Sequence, residues 1–210
     1  MDIIQITQPF LYGSMMIAFL YAIINWRYIK NKPEKWLVLF LMVTVIIEII
    51  ANYYKRIELS KLLVFSNLVI IITNTILFLW FYEYLKNKLL LIISISLVAI
   101  SFIINSYFQD FLYHIFYYAN FAISIMLLVN VFAYFNKLLK TSDVLHYKKI
   151  PAFWISIGVI IYQLNLVLVF FLLRDLVTLN RNIYYTIITI VSVLLYGSIW
   201  YGIKLNKING

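Results

Sequence analysis

The stretch Leu89–Tyr107, LLLIISISLVAISFIINSY, runs for nineteen residues without a charge, a proline or a glycine. As an α-helix it rises about 28 Å at 1.5 Å per residue, close to the roughly 30 Å of a bilayer's hydrocarbon core. Its polar residues do not recur at every second position, as they would along a strand of a membrane barrel. Backbone amides in lipid must be satisfied within the segment itself, so a spanning helix is the predicted element.

Similar blocks lie on both sides. Pro9–Trp26, Trp36–Tyr53 and Leu62–Tyr84 precede it, and Tyr113–Phe135, Pro151–Leu173 and Ile183–Ile203 follow it. Across 210 residues, 65% are hydrophobic and 12% charged, against about half and a quarter in soluble domains. The expectation is an all-α, polytopic transmembrane helical bundle of seven spans. Its connections are short, so consecutive helices should be antiparallel neighbours within one transmembrane domain covering 1–210.

The net charge of +9 would suggest nucleic acid in a soluble protein, but the cations fall between the apolar blocks. They are better read as orientation signals, with the lipid bilayer as partner and no direct nucleic-acid contact. Arg27, Lys30, Lys32, Lys35, Lys86, Lys88, Lys137, Lys140, Lys148, Lys149, Lys204 and Lys207 collect on one side, whereas Lys55, Arg56, Lys61, Arg174 and Arg181 collect on the other. The richer side is expected to face the cytoplasm, which puts the N-terminus outside and the C-terminus inside a cell inner (cytoplasmic) membrane. Trp26, Trp36, Trp80, Trp154 and Trp200 fall near the same ends of their spans, where tryptophan anchors at the headgroups. Pro9, Pro33 and Pro151 are each expected at or just before a helix start. The first block lacks a basic leader and a small-residue cleavage site, so it reads as a retained helix.

Polar groups inside the spans are the candidates for function. Glu48 is the one acid well inside a span, about 5 Å outward of the midplane by residue counting. An intramembrane acid must face the bundle, be neutral or meet a partner. Asn67, Asn74, Asn120, Gln163 and Asn165 lie at the midplane or in the outer half, at a shared depth. Together with Glu48 they outline a polar pocket open to the outside; the alternative is that the amides are interhelical hydrogen-bonding glue. Asp110 and His114, four apart at the outer start of the fifth span, are a candidate pH-sensitive pair or an exposed helix-start pair. Lys137, Lys140, Lys148 and Lys149, with His146 in the longest inner loop, are candidate cytoplasmic contacts or ordinary topology signal. Glu83 near Lys86 reads as a helix-end charge. Ser198 and Gly202 form a small-xxx-small pair that favours close helix packing.

Several chemistries are excluded. There is no cysteine, so disulfides and thiolate sites are ruled out. Metalloprotease spacing, a P-loop, a nucleophile elbow and paired intramembrane carboxylates are absent. Two histidines near the interfaces are too few for a buried metal site, so neither metal nor cofactor is expected. The last span carries no lysine, which excludes a retinal Schiff base there, and the Pro-Gln motifs of the seven-helix sugar transporters are missing. No mid-span Gly or Pro pair and no internal repeat mark a transporter of broken helices.

Pro151-Ala152-Phe153-Trp154 with Gly158 and Tyr162, Glu48 in the second span, and Asn105-Ser106 after the fourth resemble an uncharacterised seven-helix integral membrane protein family of Bacteroidota. In size, basic loops and bare membrane character the chain is also similar to small membrane accessory proteins of bacterial defence (type VI-B CRISPR) systems. That similarity implies work with a cytosolic nuclease or perturbation of the membrane. The leading expectation is a non-enzymatic accessory or sensor protein whose loops Asn25–Lys35 and Asn136–Ile150 dock a cytosolic protein partner, with a homo-oligomer as one form of assembly. The alternatives are a small ion or proton channel or transporter using Glu48, and a lipid-modifying enzyme relying on Glu48 and His114 for acid-base work.

Overall fold

A computed structural model describes residues 3–54, 59–111, 114–179 and 181–208, and every regular element among them is helical. The chain begins with α1 (Ile3–Ile24), a single turn α2 (Trp26–Ile29), α3 (Lys35–Tyr54) and α4 (Leu59–Leu85). It continues with α5 (Lys88–Ser106), α6 (Tyr117–Leu139), a 3-10 segment η1 (Ser142–Lys149), α7 (Pro151–Leu179) and α8 (Arg181–Ile208). Seven of these, α1 and α3 through α8, are long and apolar enough to cross a membrane. Their outward faces carry Ile49, Leu89 and Phe132, each more than 60% exposed, while asparagines, threonines and a glutamine are buried. An apolar exterior with polar side chains turned inward suits lipid and not water. The protein is therefore a multi-pass membrane protein.

Six helices close into a ring in the order α1, α3, α4, α6, α7, α8, with α8 returning to α1, and α5 lies outside it against α4 and α6. Short connections enforce the neighbour relations. Between α4 and α5 there are only Lys86 and Asn87. Lys86 takes a left-handed φ of 54° and its N–H closes onto the Tyr82 carbonyl at 2.7 Å, a helix end that glycine usually makes. The Asn87 side chain then caps α5 by accepting from the Leu90 N–H at 3.1 Å. The closest helix pairing, α7 on α8, depends on small residues. A Cβ on Gly158 would lie 1.9 Å from Ser198 Oγ, and one on Gly202 would lie 2.5 Å from Ile155 Cδ1.

Three expectations are corrected. The span expected from Tyr113 begins four residues later, at Tyr117, because the backbone before it is held by side chains of other helices. Pro9 lies inside α1, where it removes one intrahelical bond close to the helix start. Trp80 is no interfacial anchor: it is fully buried, edge-on to Phe81 at 4.7 Å and Tyr84 at 5.4 Å. Trp26 is exposed, Trp154 donates to the Lys148 carbonyl at 3.0 Å, and Lys204 lies over the Trp200 ring. These three keep their place at the lysine-rich end of the bundle. Of the cations expected at the opposite end, Lys55 and Arg56 and the side chains of Lys61, Arg174 and Arg181 lie outside the described residues.

Candidate functional site

The polar residues of the spans divide into two groups. Asn67, fully buried on α4, donates from Nδ2 to the carbonyls of Phe111 (3.1 Å) and His114 (2.9 Å), and its Oδ1 accepts from the Phe116 N–H at 3.0 Å. Asn105, fully buried on α5, accepts from the Ala119 N–H at 3.1 Å and donates to Gln109 at 2.7 Å. Both therefore satisfy amides at the start of α6 that have no partner within their own helix. Asn67 is thus an architectural residue and not a wall of the expected pocket. Asn130 is similar, donating to Ser94 Oγ at 3.0 Å and joining α6 to α5.

The second group surrounds two adjoining cavities. One, of about 270 Å³, is lined by Glu48 and Thr44 of α3, Ser66 of α4, and Tyr117 and Asn120 of α6. The other, of about 130 Å³, lies deeper and is lined by Thr44, Thr73, Asn74, Asn120, Tyr162, Gln163 and Tyr196 among others. Thr44, Val69, Ile70 and Asn120 line both, so the cavity beside the half-buried Glu48 and the one beside the deeper amides share a wall. Either cavity has room for several water molecules. Tyr12 of α1 reaches Glu48 as well and donates to Asn52 Oδ1 at 3.2 Å.

Several side chains of this interior give a proton to their own helix and keep an oxygen that can accept. Thr44 donates to the Phe40 carbonyl at 2.8 Å, Thr73 to Val69 at 2.6 Å, and Asn74 Nδ2 to Ile70 at 2.6 Å. A threonine hydroxyl has one proton to give, so its oxygen is left as an acceptor. Gln163, itself buried, has an Oε1 without a hydrogen-bond partner. With the Glu48 carboxyl, the interior presents oxygen acceptors from α3, α4 and α7. Towards the lysine-rich end it is closed by a fully buried apolar layer that includes Leu37, Leu41, Phe78, Phe81, Leu127 and Ile203.

The other sequence candidates lie elsewhere. Asn165 lines neither cavity, and its buried Oδ1 has no hydrogen-bond partner. Asp110 and His114 are exposed in the connection before α6, joined by a backbone bond from the His114 N–H to the Asp110 carbonyl at 2.9 Å. They precede that helix, contrary to the expected helix-start placement. Lys137 closes the end of α4, donating to the Tyr84 carbonyl at 2.6 Å. Lys140, Lys148 and Lys149 are exposed around η1, and Glu83 pairs with Lys86 at 2.5 Å.

One buried acid escaped the sequence reading. Glu34, in the turn before α3, is 1% exposed, and its carbonyl accepts from the Leu37 N–H at 3.0 Å. Its carboxyl accepts a hydrogen bond from the Tyr84 hydroxyl, and the Asn206 side chain of α8 faces it without closing a hydrogen bond of good geometry. Burial pushes its pKa above the ordinary glutamate range, only partly opposed by the Tyr84 bond, the local backbone, Asn206 and Lys32. The motif Lys32-Pro33-Glu34-Lys35 reads as a solvated turn; only the last turns of α4 and α8 make it an interior.

No protein-family model, curated protein or solved structure matches the chain.

Proposed function

We propose that the bundle takes up a small monovalent cation, a hydrated proton included, into the adjoining cavities and conducts it across the membrane, with Glu48 as its charged entry residue. The observation that carries this reading is the set of oxygen acceptors around the cavities, from Glu48, Thr44, Thr73 and Gln163 Oε1. A cation shedding water needs oxygen ligands, which carbonyls and hydroxyls supply, and a half-buried carboxylate offsets its charge. An anion would be repelled by the Glu48 carboxylate. The buried apolar layer beyond the cavities is then the gate, closed in this conformation. The lysine-rich end supports a cytoplasmic placement for that end, and with it an outward-facing N-terminus.

Proton and potassium flux into liposomes containing the purified protein tests the proposal, with Glu48→Gln compared at matched folding and insertion. Flux from the wild type should fall at least tenfold in the variant, and Gln163→Leu should reduce it further from the interior side. Equal flux from wild type and Glu48→Gln would remove the residue from the pathway, and none above protein-free liposomes would remove conduction itself.

A second reading is supported by a different observation. η1 exposes nearly all its side chains, including Leu145 at 80%, and displays Lys148 and Lys149 with Lys140 beside them. This surface suits an accessory or sensor role in which an acidic face of a cytosolic protein docks there. Changing these three lysines to glutamine should abolish such binding; binding that survives the change would count against this reading.

A further inference from the structure

Glu34 lies ten residues from Thr44, about 15 Å along α3 and on the far side of the apolar layer from the cavities. Four elements converge on it. The groups facing it are Lys32 in its own turn, Tyr84 from α4, Tyr134 from α6 and Asn206 from α8, with Lys137 Nζ on the Tyr84 carbonyl behind them. Lys32 does not close onto the carboxyl as an ion pair; its Nζ lies 3.5 Å from the Asn206 carbonyl.

The donor inventory there is incomplete. Tyr84 donates to the carboxyl, yet the buried Tyr134 hydroxyl and the Asn206 Nδ2 make no hydrogen bond of good geometry. A buried carboxylate ordinarily gathers two or three donors, and an isolated buried charge is very costly. A neutral carboxylic acid needs fewer. With one donor engaged in good geometry, so buried a site favours the neutral form over the charged one. The two unengaged donors are those that would receive the charge once the proton leaves.

We infer that Glu34 is a proton-binding site at the lysine-rich end of the bundle, holding a proton on its carboxyl and exchanging it with the aqueous phase at that end. On release the proton passes to water, and Tyr134 and Asn206 turn to the carboxylate. This goes beyond the cation pathway and does not depend on it, since the carboxyl titrates whether or not the cavities conduct. The raised pKa noted above agrees with the geometry.

The test is infrared difference spectroscopy of the full chain in lipid nanodiscs, titrating the carbonyl stretch of protonated carboxyl groups, with Glu48→Gln as background to remove the other intramembrane acid. A component with a midpoint above the ordinary glutamate range should be present and should vanish in Glu34→Gln. Tyr84→Phe keeps the carboxyl but removes a bond that favours its ionised form, so the midpoint should move upward; this arm stands even if Glu34→Gln does not fold. A component unaffected by Glu34→Gln, a Glu34 midpoint at or below the ordinary range, or no upward movement in Tyr84→Phe would overturn the inference.

Discussion

Replacing Asn67 by leucine, close to it in volume, deletes three hydrogen bonds at once, to Phe111, His114 and Phe116. Interhelical polar bonds in membrane proteins average about 0.6 kcal/mol each, which sets a floor of about 2 kcal/mol for the three. Leaving backbone groups of this part-buried connection without partners adds to this, since an orphaned buried group costs roughly 1–3 kcal/mol, and the orphans here belong to one short segment that can partly relax. The expected destabilisation is about 2–4 kcal/mol, measured by equilibrium unfolding in mixed micelles. Asn67→Asp keeps the acceptor for Phe116 and loses the two donors, so it should fall between wild type and leucine. Where folded, both variants should conduct as the wild type does, because the side chain faces the α6 connection and not the cavities. A loss under about 0.5 kcal/mol for Asn67→Leu, or a flux defect in well-folded Asn67→Asp, would refute the assignment of this residue to architecture.

Gly158→Ala should cost about 1–3 kcal/mol by overpacking where Ser198 already fills the space, and Ser198→Gly in the same chain should restore part of it in the same unfolding assay. Lys86→Gly should raise stability by about 0.5–1 kcal/mol, because glycine adopts a positive φ without the strain of a side chain and the exposed pair with Glu83 is worth little; unchanged or lower stability would show that the pair outweighs the strain. Glu34 has a raised folded pKa, so the native state binds its proton more tightly than the unfolded chain. Its linkage contribution is complete below the ordinary glutamate value and is lost as pH rises through the folded value. The stability difference between wild type and Glu34→Gln should accordingly shift against the wild type across that interval in thermal unfolding at a series of pH values, and a flat difference would contradict the shift.

The spans were legible because a bilayer imposes length and apolarity on each segment separately, and neither property needs a tertiary contact to be read. The start of α6 was not, because Asn67 and Asn105 reach it from other helices and hold as a connection a stretch whose composition reads as helix. Residue counting placed Asn67 and Asn74 at a shared depth, yet seven residues separate them by about 10 Å along the axis. One therefore meets the α6 connection and the other the deeper cavity. Glu48 was conspicuous as an acid among apolar residues. Thr44 and Thr73 were not, since threonine in a membrane helix is ordinary and only its bond to its own backbone turns it into an acceptor. Glu34 was hidden by lysines on both sides of its turn, because its burial is produced by Tyr84 and Asn206, distant in sequence.

The apolar layer between the cavities and Glu34 also shapes the electric field. On the proposed pathway, cavities with room for water on one side and the aqueous end on the other would leave this layer as the low-dielectric part, so a membrane potential would fall mainly across a few side chains and not across the whole bilayer. A unit charge crossing it would then experience most of the ~2.3 kcal/mol that each 100 mV supplies within that short distance. Single-channel or liposome currents should accordingly depend steeply on voltage in the wild type, and less steeply once Leu41→Asn or Leu127→Asn admits water and spreads the drop.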